Sequence, residues 1–255
     1  MTQQNSHRSV SALSQQNFLL VAAFIMPLTF SVWQALLNNF VVERAAFTGA
    51  EIGILQSLRE VPGFLAFSAV FVLLVVREQR FALASLLVMS IGVALTPYFP
   101  TTYGLYATTV VMSLGFHYFE TINKSLTLQW IDKGEAPHFM GRAMAVKAAG
   151  ALLAYSSIWL LMEWFGVGFE GMYLLAGGVG VLITLSLWAL FPHYPEGAVQ
   201  HKKLIIRRRY WLYYALTFLS GARRQIFMVF AGFMMVEKFG YSAADISLLY
   251  LANYV

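Results

Sequence analysis

Residues 219 to 232 read LSGARRQIFMVFAG, and two adjacent arginines, Arg223 and Arg224, stand inside an apolar run from Trp211 to Val236. A guanidinium stays charged at any physiological pH. Charge at bilayer depth is costly and marks ion or solute pathways. A second constellation lies upstream. Thr109, Ser113, His117, Glu120 and Lys124 recur every three or four residues. At 100° per residue they form one stripe within about 80° of arc. Val111, Phe119 and Ile122 lie opposite. Weaker stripes run through Ser31, Gln34 and Asn38, and through Thr217, Ser220 and Arg224. Arg59, Glu60 and Lys147 complete the set of ionisable groups inside apolar segments.

The residue types suggest a division of chemistry. Arginine is a bidentate partner for carboxylate or phosphate. Arg224, Arg223 and Arg59, with the amides of Gln34 and Asn38, are therefore candidates to hold a solute. His117, Glu120 and Glu60 change protonation most readily near neutral pH once partly buried, and are the candidates to carry a proton. Lys124, Lys147, Arg77 and Arg80 are candidates for ion pairs or gating. The embedded charges are five positive (Arg59, Lys124, Lys147, Arg223, Arg224) and two negative (Glu60, Glu120), an excess that favours an anion.

Structural roles compete with these. Glu120 and Lys124, four apart on a helix, can neutralise each other. Lys147 can snorkel to the interface. Arg59 and Glu60 are adjacent and diverge by about 100°, so they are not expected to face one cavity centre. Arg223 and Arg224 diverge likewise, which leaves Arg224 for a cavity and Arg223 for a carboxylate on a neighbouring helix. Gly141, Ala145 and Ala149 read as a small-residue packing ridge. Trp130, Trp164 and Tyr241 read as interfacial anchors.

The elements that must position these residues are helices in a membrane. Of 255 residues, 59% are hydrophobic and only 11% charged. Soluble domains carry about 25% charge. Apolar runs of bilayer-spanning length recur along the chain. The spacing predicts helices over 18–42, 51–76, 81–97, 103–131, 140–165, 171–191 and 210–236, with an eighth from about 242. The fold class is all-α, a polytopic transmembrane bundle of about seven full spans and a truncated eighth. The absence of cysteine excludes disulfides and thiol chemistry. No metal site or cofactor motif is visible, and nothing points to nucleic acid. No small-residue cleavage site follows the first apolar run.

Basic residues fall on one side. Arg8, Arg77, Arg80, Lys133, Arg142, Lys202, Lys203, Arg207, Arg208 and Arg209 stand there, against Arg44 and Lys238 opposite, ten to two. The positive-inside rule then places the amino terminus and the 192–209 stretch in the cytoplasm of a cell whose (inner) membrane holds the chain. Residues 1–191 form a six-helix unit, 192–209 a basic linker, and 210–255 the start of a second unit.

That second unit repeats the first. With a shift of 194, VERAAFTGAEIGIL (42–55) meets VEKFGYSAADISLL (236–249) without a gap, and nine of fourteen positions are like for like. Both copies cross the membrane in the same sense, as parallel repeats do. Six helices, a basic linker and a seventh helix that restarts the pattern resemble the major facilitator superfamily of secondary transporters. That family usually carries Gly-x-x-x-Asp-Arg-x-Gly-Arg between its second and third helices. The corresponding LLVVREQRFAL (73–83) keeps the basic part as Arg77 and Arg80 and lacks the aspartate and both glycines. KAAGALLAYSS (147–157) lacks the fifth-helix proline of drug antiporters.

The resemblance implies twelve helices, so the chain is expected to be a fragment whose carboxy-terminal helices are missing. It also implies that the first, fourth and seventh helices line a central cavity, and these are the three that bear polar stripes. The expected activity is alternating-access transport of a small anionic solute, with protons as the coupling ion, and no enzymatic chemistry. GxxxxGK[ST], HExxH and GxSxG are all absent. The alternative is a non-transporting receptor or assembly protein on the same fold.

Overall fold

A computed structural model describes residues 13–195 and 207–254; for residues 220–228 and 254 the description is of the backbone alone. The described chain is helical. Helix α1 spans Gln15–Ala45, α2 Gly49–Phe64, α3 Ala69–Val72, α4 Glu78–Leu95, α5 Thr102–Trp130, α6 Ala136–Glu163, α7 Phe169–Leu190, α8 Trp211–Phe239 and α9 Ala243–Tyr254. Short 3-10 turns lie at Leu65–Ser68, Thr96–Tyr98 and Arg208–Tyr210. The chain crosses the bundle alternately. One end carries Leu13, the 73–77 and 131–135 loops and Phe191, and is called the linker end.

The expected second span, 51–76, is not one helix. Pro62 lies inside α2. It removes a backbone donor and crowds the preceding turn. The chain tightens to 3-10 geometry at Leu65–Ser68, resumes as the single turn of α3, and unwinds before α4. Four described helical stretches are long and apolar enough by composition to cross a membrane: Gln15–Ala45, Glu78–Tyr98, Ala136–Glu163 and Phe169–Leu190. α5 is equally long, but its polar stripe lowers its apolar character.

The bundle is assembled around α1, α4 and α5. α4 packs between α5 and α7, α1 between α6 and α7, and α2 along α5. Its centre is filled by Trp33, Phe40, Tyr173, Phe18 and Phe119, all fully buried. Glycines set the closest approaches. A Cβ at Gly92 would sit 2.6 Å from the backbone nitrogen of Met112, and one at Gly115 would run into the backbone of Met89 and Ser85. α4 and α5 thus meet backbone to backbone, as membrane helices do when small residues face each other. On α6 the packing residues are Gly150, Ala151 and Ala154, with Gly150 over the carbonyl of Phe24. The expected ridge of Gly141, Ala145 and Ala149 faces outward.

The repeat is reproduced in hydrogen bonds. α1 ends on Ala46 in the left-handed conformation (φ 51°) and α8 on Gly240 in the same conformation (φ 66°). Phe47 N donates to Val41 O at 3.1 Å, and Tyr241 N donates to Met235 O at 3.2 Å. Thr48 then caps α2 against Glu51, and Ser242 caps α9 against Asp245. Each is the reciprocal N-terminal box that satisfies the first free N–H groups of a helix. The turn partners and the Thr48–Glu51 and Ser242–Asp245 pairs are displaced by 194, while Thr48 Oγ1 also accepts from Ala50 N.

α8 and α9 meet the six preceding spans at the end opposite the linker. Asn39 Nδ2 donates to Tyr241 O at 2.7 Å. Gly232 lets α8 approach Asn38, whose Nδ2 lies 2.9 Å from the position of an added Cβ. Tyr250 of α9 stacks on Tyr155 of α6 at 5.3 Å. Phe233 and Val236 are buried, whereas Tyr213, Leu216 and Phe218, on the linker half of α8, are exposed. The two sets of helices therefore touch near one end and diverge toward the other.

Candidate functional site

Between α1, α2, α5, α6, α8 and α9 lies a two-lobed cavity. The smaller lobe, about 390 Å³, is lined by Gln34, Asn38, Gln56, Arg59, Glu60, His117 and Glu120, with Val229 of α8 and Tyr250 of α9 closing it. The larger, about 890 Å³, is lined mainly by apolar side chains of α1, α6, α8 and α9, with Lys147 among them. Phe30, Gln34, Phe116, Glu120 and Tyr250 border both. The rings of Phe30 and Phe116 stack at 4.4 Å between them.

α2 supplies the pair Arg59–Glu60. The Arg59 guanidinium donates to Glu60 Oε1 through Nη2 at 2.7 Å and Nε at 3.1 Å. The expectation that they face apart is corrected. The helix does turn the two Cα–Cβ bonds about 100° from each other, but both side chains are long enough to fold back toward one point, and both line the smaller lobe. Arg59 is the more enclosed, with 12% of its side chain exposed against 43% for Glu60.

α5 supplies His117 and Glu120, and its stripe divides by depth. Thr109 and Ser113 are wholly buried, and the Ser113 hydroxyl donates to the Arg59 carbonyl. His117 lies against the weak point of α2. A Cβ on Gly63 would be 2.7 Å from its Cε1. Tyr118 and Ser68 join hydroxyls at 2.6 Å one turn further on. α5 thus meets the broken span at the carbonyl of Arg59, at Gly63 and at the side chain of Ser68. Lys124 is 70% exposed and lies 3.6 Å from Glu120. Exposed pairs of this kind contribute roughly 0–1 kcal/mol. Phe119 and Ile122, read as the side opposite the stripe, are buried rather than lipid-facing, because α5 is enclosed on more than one side.

α1 supplies Gln34 and Asn38. Gln34 and Tyr250 both stand at the border of the two lobes. Lys147 lines the larger lobe, with no ion pair among the described residues. Arg77 and Arg80 stand apart from the cavity, at the linker end. Arg80 Nη2 lies 3.2 Å from His193 Nε2. The residues between them hold that end together: Glu78 accepts hydrogen bonds from Ser125 and Gln129 of α5. Gln79 donates to Pro192 O at 2.9 Å and accepts from Tyr194 N at 3.0 Å. The Tyr194 hydroxyl donates to Leu13 O at 2.8 Å.

The side chains of Arg223 and Arg224 lie outside the described residues, as do Arg8, Lys202 and Lys203. Among the described residues that line the cavity the charges are two positive (Arg59, Lys147) and two negative (Glu60, Glu120), while Lys124 lies outside the lining, so the expected excess of positive charge is not present among them. The sequence reading did not include Gln56, Phe30, Phe116, Val229 or Tyr250. Gln56 was visible as sharing the face of Glu60; the aromatics carried no signal in an apolar helix. No cluster of three metal-binding side chains occurs among the described residues.

No protein-family model matches the chain, and no curated protein matches it in sequence. Solved structures do match in fold. A bacterial homologue of the human lysosomal transporter Spinster, captured inward-facing and unoccupied, superposes with a TM-score of 0.61 at 14% identity, over 94% of this chain and 59% of that one. The POT-family transporter PepTSo gives 0.53 at 16% identity, and an autoinhibited POT-family peptide transporter 0.52 at 13%, each over 94% of this chain and 51% of the other. The chain has the major facilitator fold. It spans between half and three fifths of the length of these transporters. In major facilitator terms, α1, α2 with α3, α4, α5, α6 and α7 are the first six spans, and α8 and α9 the seventh and eighth. The chain is a multi-pass membrane protein.

Proposed function

We propose that the protein to which this chain belongs is a secondary transporter that moves a small anionic solute by alternating access, coupled to protons. Residues 1–191 form its first six-helix unit, 192–209 a linker and 210–255 the start of the second. The chain sits in the cell (inner) membrane with its amino terminus in the cytoplasm. The observation that carries the reading is the cavity at mid-depth, lined by charged and amide side chains of α1, α2 and α5 and closed by α8 and α9. Lipid-facing helices have no use for such groups, and transporters of parallel-repeat design bind their solutes between the repeats. The packing of α8 and α9 against α1, α2 and α6 at one end, with divergence at the other, fits a cavity reached from the linker side.

In this reading Arg59 and Arg224 receive the anion, with Gln34 and Asn38 orienting it and Arg223 close by. Glu60, His117 and Glu120 carry the proton. Lys147 adjusts the charge of the cavity wall, Lys124 pairs with Glu120 from outside it, and Arg77 and Arg80 hold the linker end. The full-length gene product in proteoliposomes tests the proposal. An inward proton gradient is imposed, and flux of labelled organic anions is compared between wild type and Arg224→Ala. Gradient-stimulated flux lost in the variant supports it. Equal flux in both removes Arg224 from the site. No flux from well-folded protein leaves the alternative, a membrane receptor or assembly protein on the same fold.

A further inference from the structure

We infer that the solute is amphipathic, with a charged head in the smaller lobe of the cavity and an apolar body in the larger. This rests on the transport reading and narrows it from small anions in general to organic anions with an apolar body. The two lobes differ in chemistry and in size. Around the head position stand Arg59, Glu60, His117, Asn38 and Gln56, in about 390 Å³. Around the body position stand Met26, Met144, Met235, Ile246 and Leu249, in about 890 Å³. Ser31, Lys147 and Asn253 are polar exceptions in a wall that is otherwise mainly apolar, and a compact anion that meets them leaves most of that wall to be covered by water at the expense of apolar contact. Methionine surfaces adapt to varied apolar shapes.

The Phe30–Phe116 stack stands between the lobes, with both rings facing each. It lets a slender neck pass beside it and separates a bulky head from a bulky body. Gln34 and Glu120 border both lobes and bracket the neck. The division comes from different helices. The head lobe is lined chiefly by α1, α2 and α5, with Val229 and Tyr250 from α8 and α9, and the body lobe chiefly by α1, α6, α8 and α9, with Phe116 and Glu120 from α5, so a solute in either lobe touches both sets of helices.

The test uses purified full-length protein in nanodiscs and calorimetric titration with acetate, succinate, 3-phenylpropionate and 3-phenylpropylamine. Burying a phenyl group and its spacer should make 3-phenylpropionate bind roughly tenfold to a hundredfold tighter than acetate. Ala148→Phe fills the body lobe from α6 and should erase that advantage while leaving acetate binding unchanged. If that variant melts far below wild type, Ala231→Phe on α8 fills the same lobe from the facing side. Equal affinity for succinate and 3-phenylpropionate overturns the amphipathic inference and leaves the anion reading standing. Tight binding of 3-phenylpropylamine in place of the acid overturns the anionic head and supports the apolar body. A lobe-filling variant that keeps the full advantage of 3-phenylpropionate, or no binding of any probe to folded wild type, overturns the inference outright.

Discussion

Gly63 and His117 show how one missing side chain positions a functional one. The imidazole lies where the Cβ of any other residue at 63 would be, in the stretch of α2 already weakened by Pro62. Gly63→Ala should displace the ring toward the cavity, cost about 1–3 kcal/mol of stability through overpacking, and alter the pH profile of transport. Melting in detergent and flux against pH read the two effects separately; an unchanged profile would detach His117 from coupling. Glu120→Gln should abolish gradient-stimulated uptake and spare exchange of solute between equal pools. The helix caps offer a cleaner residue-scale test. Ala46 adopts φ 51° where its repeat counterpart is Gly240. A left-handed conformation costs an L-residue about 1–2 kcal/mol. Ala46→Gly should therefore raise the melting temperature slightly, and Gly240→Ala should lower it.

At the scale of elements, the contact between α4 and α5 depends on Gly92 and Gly115. Gly115→Leu puts a branched side chain where Met89 and Ser85 present backbone. Neither can yield without parting the helices, so the variant should fail to accumulate as folded protein. Fluorescence size-exclusion of the tagged protein would register this, and a wild-type peak would mean the helices do not approach so closely. The broken second span belongs to the same scale. Periodicity and hydropathy over 51–76 suit an uninterrupted helix, and Pro62 was visible as a defect. Whether a proline kinks, breaks or is absorbed depends on what the neighbouring helix offers the freed backbone. Here the Ser113 hydroxyl of α5 donates to the Arg59 carbonyl, Tyr118 meets the Ser68 side chain, and the His117 ring packs against Gly63. At the linker end, Gln79→Leu removes two of the hydrogen bonds that fasten residues 192–194. Hydrogen exchange at Tyr194 should rise several-fold with little change in global stability, since partly exposed bonds are worth about 1 kcal/mol each.

For the whole molecule, the packing of α8 against α1 places Gly232 beside Asn38. These 255 residues hold no cysteine, so, with any cysteine outside them replaced, Asn38→Cys with Gly232→Cys introduces one addressable pair. Oxidation should join them and hold the two sets of helices closed at that end. Flux should fall to background and recover on reduction. Facile crosslinking with undiminished flux would show that this contact does not open during transport.

Much of the molecule was legible in its residues. Helix positions followed from apolar run length, because a bilayer admits few other structures for such runs. The parallel repeat followed from matching loop chemistry, and its caps and turns recur at the same offset. Helical spacing set Gln34 and Asn38 on one face of their helix and His117 and Glu120 on one face of theirs; that the two faces share a cavity was implied by the family resemblance alone. Other features required the tertiary structure. Spacing turned Arg59 and Glu60 apart, and only the reach of their side chains joined them. Thr109 and Ser113 share the stripe of His117, yet α2 covers the first two and leaves the third at the cavity. Phe30 and Phe116 are indistinguishable from core aromatics until their rings are seen between two lobes. Composition and period are properties of single segments and fix each helix and its polar face; which face meets which neighbour, and at what depth the contact ends, is decided by close packing of several helices at once.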